Sequence, residues 1–95
     1  MELLFEWDED KAKVILQKHK INFNEAKTIF NDPALLTFPD EAHSDEEDRF
    51  MSIGMSAKAR VLLAVHADRG NRVVRIISCR RTTRSEREVY EDNNA

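Results

Sequence analysis

Ninety-five residues leave room for one hydrophobic core, so the chain is expected to form a single domain over 1–95. At 41% hydrophobic and 35% charged it lies in the globular range, and its lone Cys79 excludes an internal disulfide framework or a Cys-rich zinc site. The net charge of −3 hides a division: residues 1–48 hold 13 acids and 5 lysines, whereas residues 49–95 hold 5 acids and 10 cations, nine of them arginine. Such a split predicts two surfaces with different partners, and arginine favours planar, bidentate recognition of phosphate or carboxylate. The acidic N-terminus does not match a signal peptide, and the apolar run Val61–Val65 is far short of the roughly 20 residues that span a bilayer. A cytoplasmic protein with no membrane contact is expected.

After a short apolar start at Leu3–Trp7, Asp8 is a good N-cap for a helix reaching about Lys18–Lys20. Ala12, Ile15, Leu16 and His19 form its inner stripe. Asn22 with Glu25 reads as a capping box opening a second helix, which turns Phe23, Ala26, Ile29 and Phe30 inward and stops at Asp32-Pro33. Leu35–Phe38 is a short strand and Asp40–Asp48 an acidic, solvated loop. Arg49–Ser56 alternates with period two. Val61–Ala67 and Val73–Arg80 are strands joined by a hairpin turn at Asp68-Arg69-Gly70-Asn71, and both should be central or nearly so. Ile77 is expected among the core residues of the second. Thr83-Arg84-Ser85-Glu86 matches a capping box and opens a last short helix. The expected fold is therefore α+β: two N-terminal helices, an antiparallel meander of three to four strands, and a short C-terminal helix, with helices covering one face of the sheet.

Several stretches then read together. Phe5-Glu6-Trp7-Asp8, Lys11, Lys18-His19, Phe23, Glu25-Ala26, Phe30 and Asp32-Pro33 resemble the start of the BrnT toxins. Arg49-Phe50 with Ile53-Gly54, Ala59-Arg60-Val61-Leu62, and Arg75–Arg81 followed by Glu86-Arg87 and Tyr90 resemble the rest of that family, in order. The chain departs from the family pattern at Ile15 (usually Asn), Lys20 (usually Gly) and Cys79 (usually Ala). The resemblance implies a RelE-like fold, metal-independent ribonuclease activity and arrest of translation. It also implies neutralisation by a BrnA-like antitoxin whose ribbon-helix-helix part binds operator DNA, so DNA is reached only through that partner.

Cutting RNA without a metal needs an aligned ribose 2′-OH, positive charge for the phosphorane-like transition state and a proton for the leaving oxygen. Arg60 and Arg80 stand at strand ends and match family arginines, which makes them the first catalytic candidates. Tyr90 could stack on a base or orient the phosphate, or else pin the last helix to the sheet. Glu86 could serve as a base, although the capping box already accounts for it. Arg81, Arg84, Arg87 and Lys58 are candidates for holding RNA, with Arg84–Glu88 and Arg87–Glu91 pairing at helical spacing as the plainer reading. Arg75 is as much a pairing residue as a site residue. Of the histidines, His19 reads as packing, His66 as part of a buried strand, and His43 as loop surface that could reach a cleft. No two have zinc-ligand spacing, and no cofactor is expected. A different class remains open: a non-catalytic module that uses the same basic face to hold RNA or an acidic protein.

Overall fold

The computed structural model describes residues 2–43 and 48–94. Part of the acidic loop Asp40–Asp48 and the side chain of His43 lie outside the described residues. In chain order the elements are β1 (Leu4–Glu6), α1 (Glu9–His19), α2 (Phe23–Ala26) running into a 3-10 segment (Lys27–Asn31), β2 (Leu36–Pro39), a 3-10 turn (Glu41–His43), β3 (Arg49–Met55), β4 (Val61–Asp68), β5 (Val73–Arg81) and α3 (Arg84–Asp92).

Local chemistry sets these boundaries. The Asp8 carboxylate accepts from the backbone N–H groups of Asp10 and Lys11 and starts α1. Lys20 ends it in the left-handed region at φ 59°. Glycine takes that conformation without strain, and Lys20 is the position where the BrnT pattern usually carries glycine. Thr83 and Glu86 exchange both bonds of the expected capping box at the start of α3. At the second helix the expected box is only half made. Asn22 caps the N–H of Asn24 at 2.8 Å, while the Glu25 side chain turns into the protein.

The sheet has five strands in the order β1-β5-β4-β3-β2. β2 to β5 form the predicted antiparallel meander, with β4 central and β5 beside it. The sheet is mixed, however, because Leu4–Glu6 adds as a parallel strand along Val73–Arg75. Nothing local announces this strand. It is three residues long and its partner lies some seventy positions away.

A β-bulge between Val65 and His66 shifts the register against β5. Ile76 is thereby fully buried, and Ile77, the residue expected inside, is only half-buried. An inserted residue reverses the inside–outside phase beyond it.

The helices do not share one face. α1, α2 and the 3-10 segment bury Ile15, Ile21, Phe23, Ala26 and Ile29 against Leu62, Ala64, Ile76 and Cys79. α3 places Tyr90 against Ile53, Val61 and Leu63. Alternation along β4 puts Val61 and Leu63 on the side opposite Leu62 and Ala64, so α3 covers the reverse of the sheet. Gly54 lets the helical layer sit close: a Cβ there would lie 2.9 Å from Leu35 Cδ1 and 3.1 Å from Ile29 Cβ. Buried Cys79, its thiol pushed up to about 12 by desolvation, is a packing residue.

His66 is buried in β4, and its Nε2 shares a 2.7 Å hydrogen bond with Ser52 Oγ. Burial pushes its pKa down to about 4, so it is folded as neutral imidazole. Since its ordinary value is near 6.5, the unfolded chain binds the extra proton between those values, and stability falls as pH drops through that window. The shift corresponds to roughly 3 kcal/mol lost between pH 7 and pH 4. Urea unfolding of wild type and His66→Gln across pH 7 to 4.5 should show the slope in the first and its loss in the second; equal slopes would contradict the assignment.

Candidate functional site

One end of the sheet gathers most of the arginines named from the sequence. Arg60, Arg81, Arg84 and Arg87 line a shallow groove of about 390 Å³ together with Thr82 and Thr83. Arg60 enters from the turn before β4, Arg81 closes β5, and Arg84 and Arg87 stand on the first turns of α3. Lys58 is exposed in the neighbouring turn but does not line the groove.

Arg60 is held by a partner that the sequence does not reveal. The side chain of Glu25, only 3% exposed, receives Arg60 Nε on Oε2 at 2.9 Å and Arg60 Nη2 on Oε1. Ser56 Oγ donates to the same Oε2 at 2.7 Å and accepts weakly from the N–H groups of Lys58 and Arg60. The fork of bonds from Arg60 outweighs the burial of Glu25 and holds its carboxyl below the ordinary value, while Glu25 raises the Arg60 guanidinium above its own. The pair is ionised and fixed. Its free edge belongs to a side chain that is 26% exposed.

The other candidates separate from the groove. Arg80 projects from the α3 side of the sheet, with Nη1 and Nη2 on Glu86 Oε1 and Oε2 at 2.8 and 2.9 Å. That bidentate bond leads the causes that lower Glu86 to about 2, so Glu86 is a carboxylate committed to Arg80 and to the N–H of Thr83. So weak a conjugate base is poorly suited to take a proton from a ribose hydroxyl. Tyr90 is buried, and its hydroxyl donates to Asp32 Oδ2 at 2.5 Å. Burial first, and that bond second, push its pKa up to about 12. The geometry gives it the pinning role. Arg75 pairs with Glu6 at 2.8 Å across the parallel strands.

Arg84 and Arg87 make the expected pairs with Glu88 and Glu91 at 3.3 and 3.0 Å. All four side chains are largely exposed, so these pairs contribute little stability and yield readily to a phosphate. Arg81 makes no ion pair among the described residues. No group of three or more His, Cys, Asp or Glu side chains that could hold a metal is found among them.

A family profile described as the ribonuclease toxin BrnT of type II toxin–antitoxin systems matches residues 7–86. The chain belongs to the BrnT ribonuclease toxins. The crystal structure of the Brucella abortus ribonuclease toxin BrnT is similar in fold, with a TM-score of 0.67 at 20% identity, over 87% of this chain and 100% of that one. A comparison with curated proteins gives no match. The BrnT family therefore accounts for the α+β architecture and for a toxin that acts on RNA, while the residue roles rest on the geometry above.

Glu25 and Ser56 were hidden because Glu25 also fits a capping box, and only the tertiary contact reveals its true partner. That contact makes Arg60 structural as well as partly exposed. Arg60→Ala should destabilise by roughly 3 kcal/mol because it strands a buried carboxylate. Arg81→Ala should change stability by less than about 0.5 kcal/mol. Adding Glu25→Gln to Arg60→Ala should restore part of the loss in urea unfolding. Equal, small effects for both arginines would refute a buried pair.

Proposed function

We propose that this BrnT-family chain is a metal-independent endoribonuclease that arrests translation in the cytoplasm by cutting RNA at the arginine groove. The observation that carries this is one exposed groove holding four guanidinium groups, one of them fixed by a buried carboxylate. A phosphate placed there meets planar donors suited to bidentate contact. The adjacent 2′-hydroxyl gives its proton to solvent water as its oxygen attacks that phosphorus, and the P–O5′ bond breaks as O5′ takes a proton from water, giving a 2′,3′-cyclic phosphate and a 5′-hydroxyl. Arg60 and Arg81 neutralise the charge that builds on the phosphorane oxygens, while Arg84 and Arg87 hold the flanking backbone. The lining side chains include no carboxylate or imidazole, so the groove's own contribution is electrostatic and geometric. Arg80 supports it from behind by fixing the start of α3 through Glu86.

The partner in this reading is a BrnA-like ribbon-helix-helix antitoxin encoded beside the toxin, which covers the groove with acidic or aromatic side chains and carries the operator-DNA contacts itself. Buried arginine anchors would dominate that interface. The same lack of an acid–base pair in the groove would suit a module that binds RNA without cutting it, and the experiment separates the two.

A defined RNA incubated in EDTA should be cleaved to cyclic-phosphate ends, and expression alone should stop growth until the antitoxin is co-expressed. Arg81→Ala should keep its melting temperature and lose about 10²–10³ in rate. Arg60→Lys, which retains charge against Glu25 but not the fork, should lose at least about tenfold. Cleavage abolished by EDTA would overturn metal independence. Salt-sensitive RNA binding with no product would leave only the binding module.

A further inference from the structure

The opposite, hairpin end of the sheet holds a second cavity of about 470 Å³. That size falls within the roughly 300–1,000 Å³ of small-molecule sites. Leu3, Val74 and Phe50 form apolar wall, and His66, Asp68 and Arg72 are among the polar groups around it.

Three features distinguish it from a packing defect. The first is a run of rings through the core: Phe5 to Phe30 at 5.3 Å, Phe30 to His66 at 5.0 Å, and His66 stacked on Phe50 at 5.8 Å with 28° between planes. Phe50, the half-buried end of this run, opens onto the cavity. The second is the bulge at Val65/His66. Bulges re-aim side chains, and this one lies beside the histidine that reaches the cavity. A chain from His66 Nε2 to Ser52 Oγ (2.7 Å) and on to Thr37 Oγ1 (2.8 Å) fixes the ring. Nδ1 forms no bond among the described residues.

The third is the turn on the rim. Val73 N–H bonds to Gly70 O at 2.9 Å, with Asn71 at φ 51° and Arg72 at φ 63° between them. Positive φ at both central residues makes a type I′ turn, whose second centre is ordinarily glycine. An arginine there is strained, and strain retained beside a cavity points to a use for the side chain.

We propose that this cavity binds one nucleotide of single-stranded RNA, the base stacked on Phe50 and met at its edge by His66, the phosphate held by Arg72. Aromatic faces accept any base, and a neutral imidazole edge supplies a hydrogen bond without charge. Asp68, whose Oδ1 already accepts from Gly70 N–H, suits the ribose hydroxyls rather than the phosphate. The inference rests on the RNA-cutting reading and extends it to a subsite at a distance. The length of β4 separates the two ends, and its eight residues rise about 23 Å. The nucleotide held here would thus lie several positions from the cut bond and anchor the strand.

The test is a nuclear magnetic resonance titration of labelled full-length protein with AMP, UMP and a 2′-O-methyl RNA hexanucleotide, which cannot be cut. All three should shift the ring signals of His66 and Phe50, the hexanucleotide at the lowest concentration. Arg72→Gly should melt no lower than wild type, because glycine relieves the left-handed strain, yet bind AMP about tenfold more weakly through loss of a charge-assisted contact. No shift at His66 and Phe50, or unchanged AMP binding by Arg72→Gly, overturns the pocket. Tighter binding of free AMP than of the hexanucleotide overturns its assignment to RNA. A hexanucleotide that binds without moving His66 refutes this subsite and leaves the groove standing. One that moves His66 but is indifferent to Arg81→Ala does the reverse.

Discussion

The basic end of the molecule is built around the buried carboxylate of Glu25. Taking a carboxylate out of water is expensive unless its lone pairs are filled. Arg60 and Ser56 fill them here. The same bonds fix the turn between β3 and β4, where Ala59 takes φ 61° and Ser56 Oγ reaches the N–H groups of Lys58 and Arg60. A guanidinium on a surface turn would otherwise sample many rotamers, and its ordering would oppose phosphate binding. Held from one side, Arg60 would meet a phosphate, on the proposed reading, with most of that ordering already done.

A second carboxylate performs the matching task on the other side. Asp32 accepts from Ala34 N–H at 2.8 Å on one oxygen, and from Met55 N–H at 2.8 Å and the Tyr90 hydroxyl on the other. It therefore ties the end of the 3-10 segment to the end of β3 and to α3. Burial alone would raise its carboxyl, and the three bonds instead hold it below the ordinary value. Glu25 positions the turn that carries Arg60 and Asp32 anchors the helix that carries Arg84 and Arg87, so two acids from the N-terminal half shape a groove made of C-terminal cations. The glycine at position 54 allows this, since a side chain there would push the Ile29 and Leu35 layer off the sheet.

What was legible in the sequence was local. The Asp8 cap, the Thr83–Glu86 box, the hairpin around Gly70, the alternation of β3 and the apolar, β-branched runs of β4 and β5 all follow from neighbours within a few residues. The arginines of the groove could be named because strand ends and helix starts place them there. What stayed hidden was non-local or a matter of phase. Leu4–Glu6 pairs with a strand that only the folded chain brings near. The bulge at His66 exchanges Ile77 for Ile76, because period-two reasoning has no memory of an inserted residue. Glu25, Asp32 and Tyr90 carry roles that depend on partners 35, 23 and 58 positions away. The helix that crosses to the far face does so because Tyr90 follows Ile53 and Leu63 there, which no pattern within α3 records.

The charge division of the sequence also changes meaning in three dimensions. Eight net negative charges in one half and five net positive in the other suggest opposed faces. The fold instead spends acids of the first half on arginines of the second, Glu25 on Arg60 and Glu6 on Arg75, and lets Glu86 hold Arg80. Among the described residues, the groove keeps Arg81 and the exposed, weakly paired Arg84 and Arg87 for a polyanion. A chain of net charge −3 can still attract RNA there, since at physiological salt a charge beyond about 8 Å is largely screened. Local concentration of guanidinium groups, rather than the sign of the whole chain, decides where a phosphate settles.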